Sequence, residues 1–328
     1  MHSSDLEERL REHLPRALDI SLPPHAGPIT VHPVLNYGGF VNRSFRVVAG
    51  RTTYHVKLTA EPHALRGLER WRALADRLAE RYRAPAMLAW IDLPASPFAG
   101  PVFEWIDGSR PEALRGAVRR DAVAMARRLH DDAETRDELT RLGDVAQSCA
   151  EAYRSTYHDR FIEDMKQVRA EPPSFVGADL AGRLDAEIAA LAAQVTDSAA
   201  FAAPADAPSH RDLWLDNLMV AADGTLKVLD WDELGLGDPM MDWAMLFGPD
   251  RRRVRPVDPD EIGDLGFDAG QRERLRIYAR ASLLDWVIDP LADWIEAANE
   301  PRHGAAVRDN NRRVHDSALS LYRERYAP

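Results

Sequence analysis

The stretch from Ser209 to Asp232 constrains this chain more than any other. A polar loop, His210-Arg211-Asp212-Leu213-Trp214-Leu215-Asp216-Asn217, is followed by Leu226-Lys227-Val228-Leu229-Asp230. The second run reads as a strand ending in a carboxylate. It ends 13 residues after Asn217, a hairpin distance. Asp230 can therefore return to the loop that carries Asp212 and Asn217.

Those residue types suit one chemistry. The loop matches the pattern H-R-D-L-x-x-x-N of kinase catalytic loops letter for letter. Phosphoryl transfer needs a carboxylate beside the attacking hydroxyl, which Asp212 can supply. It also needs oxygen ligands for Mg²⁺ nearby, which Asn217 and Asp230 can supply. A lone His-x-Asp is common in ordinary polar turns. The ordered set Asp212, Asn217 and a strand-terminal Asp230 is much rarer.

A kinase also needs a cation on the phosphates of ATP. Lys57 sits in Tyr54-His55-Val56-Lys57-Leu58, a run that alternates as a strand. A lysine among apolar strand residues is unusual unless its face is wet or paired. Its expected partner is a glutamate on the following helix, Glu69, with Glu61 at the helix start as the alternative. The turn Tyr37-Gly38-Gly39-Phe40-Val41-Asn42 is the candidate phosphate cover, because adjacent glycines let backbone approach a ligand closely. The full G-x-G-x-x-G pattern is absent, and a plain hairpin turn explains these glycines nearly as well.

Around this site the chain divides in character. Residues 4–18 carry Leu6, Leu10, Leu14 and Leu18 on one helical face. Strand patterns follow at 29–35, 45–48, 53–59, 86–91 and 101–105, interrupted by a helix over 63–82. Helical patterns fill 111–131, 144–169, 178–197, 240–248, 271–298 and 303–326. The expectation is an α+β, protein-kinase-like two-lobe fold. It has a β-rich nucleotide-binding lobe over 1–104, a hinge at 105–108, and a helical lobe over 109–328 bearing the catalytic loop and the acceptor site.

The net charge of −11 lies almost wholly beyond residue 108, since the segment before it is near neutral. Nucleic acid calls for a basic surface, so it is excluded as the main partner. The single cysteine, Cys149, permits no internal disulfide, which fits a reducing compartment. The first residues lack the basic start and apolar core of a signal peptide, and no apolar run reaches the length of a membrane span. A cytoplasmic protein without a membrane partner is expected.

With these residues in hand, the chain resembles the aminoglycoside phosphotransferase and choline kinase superfamily over about residues 30–250. The specific parts are His210-Arg211-Asp212 with Asn217, and Val228-Leu229-Asp230-Trp231-Asp232 followed by Gly237-Asp238-Pro239 and Asp242-Trp243-Ala244. Arg128-Leu129-His130 is similar to the family's L-H helix end, and Phe103 to Gly108 to its hinge. The resemblance implies that Asp212 orients or deprotonates the acceptor hydroxyl, and that Asn217 and Asp230 hold Mg²⁺. It implies that Lys57 contacts the ATP phosphates, that backbone at Glu104 to Ile106 contacts adenine, and that Asp242 braces the catalytic loop. Asp232 could assist the metal. Arg211 departs from the family, which often has glycine or another small residue there.

The acceptor is expected to be a small molecule with a hydroxyl group. In 281–298, Asp285, Asp289, Asp293 and Glu296 share one helical face, and Pro290 is placed to kink or split that helix. Asp285 and Asp289 are the candidate contacts for an aminoglycoside or another amine-bearing substrate. The competing account is the solvated side of an amphipathic helix. Trp214, Trp231, Trp286 and Trp294 could wall a pocket or fill core. A protein kinase fits less well, since 12 residues from Asp230 to Asp242 leave little room for an activation segment. A nucleotide-binding pseudokinase is disfavoured by the intact set of Lys57, Asp212, Asn217 and Asp230.

Overall fold

The computed structural model describes residues 3–18, 29–34, 41–249, 262, 265–299 and 304–326. These residues form two compact units, 1–110 with 218–234, and 111–217 with 235–328. The hairpin at 218–234 therefore groups by its contacts with the N-terminal residues, although the sequence reading placed it in the helical lobe.

The first unit is built on five antiparallel strands in the order β1-β2-β3-β5-β4. They are β1 (Thr30–Pro33), β2 (Asn42–Ala49), β3 (Thr52–Thr59), β4 (Met87–Asp92) and β5 (Ala99–Glu104). Helix α1 (Ser3–Ala17) lays Leu6, Leu10 and Leu14 into a core with Val47, Tyr54, Val56, Leu58 and Val102. Burying one such leucine contributes about 1.5–3 kcal/mol. The alternate residues of β3 are His55, Lys57 and Thr59, and they take the other face. Phe103, directly across from His55, meets Trp71 of helix α2 (Pro62–Ala73) on that side, with ring centroids 4.4 Å apart. Both faces of β3 are thus covered, which is why a lysine at 57 is only 5% exposed. The helix expected over 63–82 is two, α2 and α3 (Ala75–Tyr82), broken at Leu74.

A second small sheet belongs to the same unit. Strand β6 (Gly108–Ser109) pairs with β10 (Leu218–Ala221), and β10 pairs with β11 (Leu226–Val228), Leu218 lying opposite Val228. Lys227 reaches the Glu104 carboxylate at 2.8 Å, tying this sheet to the end of β5.

The second unit is helical. Helix α10 (Ala269–Glu296) is buried along most of its length and packs against α7 (Asp159–Ala170), α9 (Pro239–Leu246) and α11 (Gly304–Tyr326). Around them lie α4 (Gly116–His130), α5 (Ala133–Arg141), α6 (Cys149–Tyr153) and α8 (Ala178–Asp197). Short strand pairs join β7 (Gln147–Ser148) to β8 (Pro204–Ala205), and β9 (Ala207–Ser209) to β12 (Gly235–Gly237). Helix α10 runs unbroken through Pro290. It is not amphipathic in the expected sense, because every residue from Leu283 to Ile288 is buried. Among the described residues no helix is long and apolar enough to cross a membrane.

Gly100 shows how closely the strands under Lys57 approach. A Cβ there would lie 2.0 Å from the carbonyl oxygen of Lys57. Gly100→Ala must push β5 from β3, and thermal unfolding should show a loss of about 1–3 kcal/mol, the usual cost of overpacking.

Candidate active site

In the first unit, one buried cation meets two carboxylates. The Lys57 ammonium donates to Asp230 Oδ1, and to Asp232 Oδ2 at 2.7 Å. Asn42 Nδ2 donates to the same Asp232 oxygen at 3.0 Å. Burial disfavours the charged lysine, but Asp230 and Asp232 outweigh it and hold the Lys57 pKa above its ordinary value. Burial also raises Asp230, yet the neighbouring Lys57 overcomes this and lowers it. Asp232 is pushed up to about 6 by burial and by the charge of Asp230, with Lys57 opposing.

Local geometry sets these carboxylates in place. Asp230 has φ of 64°, a left-handed residue that swings the chain out of β11 into a tight turn. The Trp231 indole closes that turn onto the Val228 carbonyl at 2.8 Å and is fully buried. Gly67 of α2 then touches the far side, where a Cβ would meet the Asp232 carbonyl oxygen at 2.3 Å.

Glu69 is not the partner of Lys57. It is exposed, and among the described residues no hydrogen bond or ion pair joins the two. Gly67 occupies the face of α2 nearest Asp232, and two residues onward the helix has turned by about 200°. Glu61 is exposed as well. Gly38 and Gly39 lie outside the described residues. Glu104 ends β5, where its carboxylate accepts from the Ala86 amide at 3.0 Å and from Lys227. Burial raises Glu104, but these two contacts prevail and lower its pKa. Ile106 is half-buried on the link from Glu104 to β6.

In the second unit, the 210–217 loop hangs on Asp242. Fully buried on α9, this carboxylate accepts from the His210 and Arg211 amides, both at 2.8 Å, and faces His130 Nε2 at 2.9 Å. Burial raises its pKa, yet His130 and these donors lower it overall. The loop needs this hold. Arg211 has φ of 67°, a conformation that costs a side-chain-bearing residue about 1–2 kcal/mol. A glycine would adopt it freely.

Within the loop, Asn217 is oriented by Asp212. Its Nδ2 donates to the Asp212 carbonyl at 2.8 Å and to Asp212 Oδ2 at 2.7 Å. Only the NH₂ side of the amide can face two acceptors, so Oδ1 is turned away from Asp212. That leaves a neutral oxygen available to a hard cation, which suits Mg²⁺.

Beyond the loop, Trp214 meets Trp286 of α10 edge-on, with centroids 5.6 Å apart. Asp285, one residue earlier, is buried and ion-paired to Arg160 of α7. Asp289 is half-buried. Asp164 of α7 is pushed up to about 7, first by burial and then by the charge of Asp289, with Arg160 opposing. Its Oδ2 is buried with no hydrogen-bond partner among the described residues. Arg160 and Asp164 escaped the sequence reading. Their only signal is i,i+4 spacing on a helix that the reading had found. Trp231 is core, and Trp294 packs on Phe175 and under Arg308.

The phosphotransferase enzyme family, APH, matches residues 34–298. The chain belongs to this family. The structure is similar to that of the aminoglycoside 2′-phosphotransferase-IIIa solved with GDP, at 10% identity and a TM-score of 0.59, covering 98% of this chain and 99% of that one. It is similar to a spectinomycin phosphotransferase solved with ADP and spectinomycin, at 13% identity and a TM-score of 0.58, covering 96% and 98%. A macrolide 2′-phosphotransferase from Brachybacterium faecium aligns at 16% identity and a TM-score of 0.52, covering 94% and 97%. These structures share the α+β, kinase-like fold. No match was found among curated protein sequences.

Removing the Asp242 carboxylate strands two buried amides and a histidine. Asp242→Ala should cost about 3–5 kcal/mol in chemical unfolding, the scale for breaking a buried charged pair.

Proposed function

We propose that this family member transfers the γ-phosphoryl group of ATP, with Mg²⁺, to a hydroxyl of an amine-bearing small molecule such as an aminoglycoside. The observation that carries the reading is the Asp212–Asn217 pair. Its two hydrogen bonds hold a carboxylate and a neutral oxygen in one fixed arrangement. Asp212 takes or orients the proton of the attacking hydroxyl. Asn217 Oδ1 and Asp230 are the Mg²⁺ ligands. Support comes from the hairpin register, since Asn217 immediately precedes Leu218, which pairs with Val228 two residues before Asp230. When bound, the metal neutralises charge on the phosphates. Lys57 supplies a permanent positive charge to those phosphates, and backbone at Glu104 and Ile106 receives the adenine.

The acceptor side draws on α7 and α10. Trp214 follows the catalytic aspartate by two residues, and its contact with Trp286 offers an aromatic wall beside the acidic group of Asp164, Asp285 and Asp289. Asp285 is neutralised by Arg160, so it orients that arginine and shapes the group. Asp289 and Asp164 are left to attract an amine.

Two outcomes test this reading. Purified protein with ATP and Mg²⁺ should phosphorylate at least one hydroxyl compound in a panel of aminoglycosides, choline, amino alcohols and sugars. Asp212→Asn should lower that turnover by at least about 100-fold, the scale of general acid–base catalysis, with ATP affinity by calorimetry preserved. Absence of ATP binding by the wild type would sink the proposal.

The second concerns pH. Asp164 is uncharged in the folded protein below about 7 and a carboxylate above it. Amine affinity should therefore rise between pH 6 and pH 8, and Asp164→Asn should flatten that rise. Stability runs the other way. The folded pKa of about 7 exceeds the ordinary 3.8, so this group's favourable contribution is complete below 3.8 and is lost as pH climbs to 7. Thermal unfolding of Asp164→Asn should lack that decline.

A further inference from the structure

Kinase chemistry asks that the phosphate-binding lysine be held in place, and the helix carboxylate expected to do so is turned to solvent. Another device stands in its place. Asp232 Oδ2 accepts from Lys57 Nζ at 2.7 Å and from Asn42 Nδ2 at 3.0 Å. Asn42 opens β2, lying opposite Thr59 at the end of β3. The Thr59 hydroxyl donates to the Val41 carbonyl at 3.2 Å, which fixes the residue just before Asn42. The other Asn42 atom, Oδ1, is buried with no hydrogen-bond partner among the described residues. Among the described residues its amide makes one side-chain hydrogen bond, from Nδ2 to Asp232. On the far side, the absent Cβ of Gly67 lets α2 lie directly on the Asp232 backbone.

We infer that Asn42 is a positioning residue for Lys57, acting through Asp232, and that the pair replaces the helix carboxylate as the holder of the phosphate-binding lysine. Asp230 and Asp232 both hold Lys57, and the two are not equivalent. Asn42 donates to Asp232 and not to Asp230. When Asp230 turns to Mg²⁺, Asp232 keeps the ammonium aligned. The inference rests on the donor-side reading above and goes beyond it in naming what aligns the lysine.

The test is calorimetry of ATP with Mg²⁺ on the full chain, comparing wild type with Asn42→Ala, Asp232→Asn, the double variant and Glu69→Gln, with steady-state kinetics beside it. Losing a hydrogen bond to a charged group should weaken ATP binding about tenfold in Asn42→Ala. The ATP KM should rise to match, and kcat at saturating ATP should stay within about twofold. The double variant should be no worse than Asp232→Asn, because Asn42 acts through that carboxylate. Glu69→Gln should bind ATP as the wild type does.

The inference is overturned if Asn42→Ala binds ATP normally, if the two losses multiply, or if Glu69→Gln is the more damaging change. A wild type that binds no ATP removes the functional reading and this inference with it, and that result differs from any of these variant patterns. Should Asn42→Ala fail to fold by thermal unfolding, the contrast between Asp232→Asn and Glu69→Gln decides the matter.

Discussion

Three donors converge on one buried carboxylate, Asp242, and the 210–217 loop takes its shape from that convergence. A charge with no water around it must be met by hydrogen bonds, or it shifts its pKa and neutralises. Asp242 meets this demand with two consecutive backbone amides and a histidine. The left-handed Arg211 then turns the chain just after these two amides. Asp212 is the next residue. Its direction therefore follows from a contact it does not itself make.

The same economy governs the lysine. Lys57 is buried because sheet and helix cover both faces of β3, and burial would drive it neutral without compensation. Asp230 and Asp232 keep it charged. They come from a turn more than 170 residues later in the chain, so this ion pair is also a long-range constraint on folding.

Much of this was legible in the sequence. The leucine spacing of α1, the alternation in β3 and the full extent of α8 appear as period and composition. The letters of the 210–217 loop point to the phosphotransferase family to which the chain belongs. The partner of Lys57 was not legible. A glutamate on the next helix is a reasonable guess by spacing, but Gly67 decides which face of α2 meets the site, and a missing side chain leaves no pattern. The acidic residues of α10 misled in another way. Their stripe suggested a wet face, whereas Arg160 from α7 neutralises Asp285 inside the protein. No periodicity within one helix reveals a counter-charge on another. Helix α5 went unread because it is short and largely polar.

The grouping of residues 218–234 with the N-terminal unit bears on how the gene could be cut. The chain leaves that unit after residue 110, returns at Leu218 and leaves again after Leu234. A fragment ending at residue 110 would hold the five strands and the lysine but neither of its counter-charges. It would carry a desolvated cation with nothing to balance it, and β6 would lose the strand it pairs with. Neither unit is a continuous segment, so a single break in the coding sequence yields no self-sufficient half. Shuffling of this architecture between proteins is confined to exchanges that keep the 218–234 hairpin and the N-terminal sheet from the same parent.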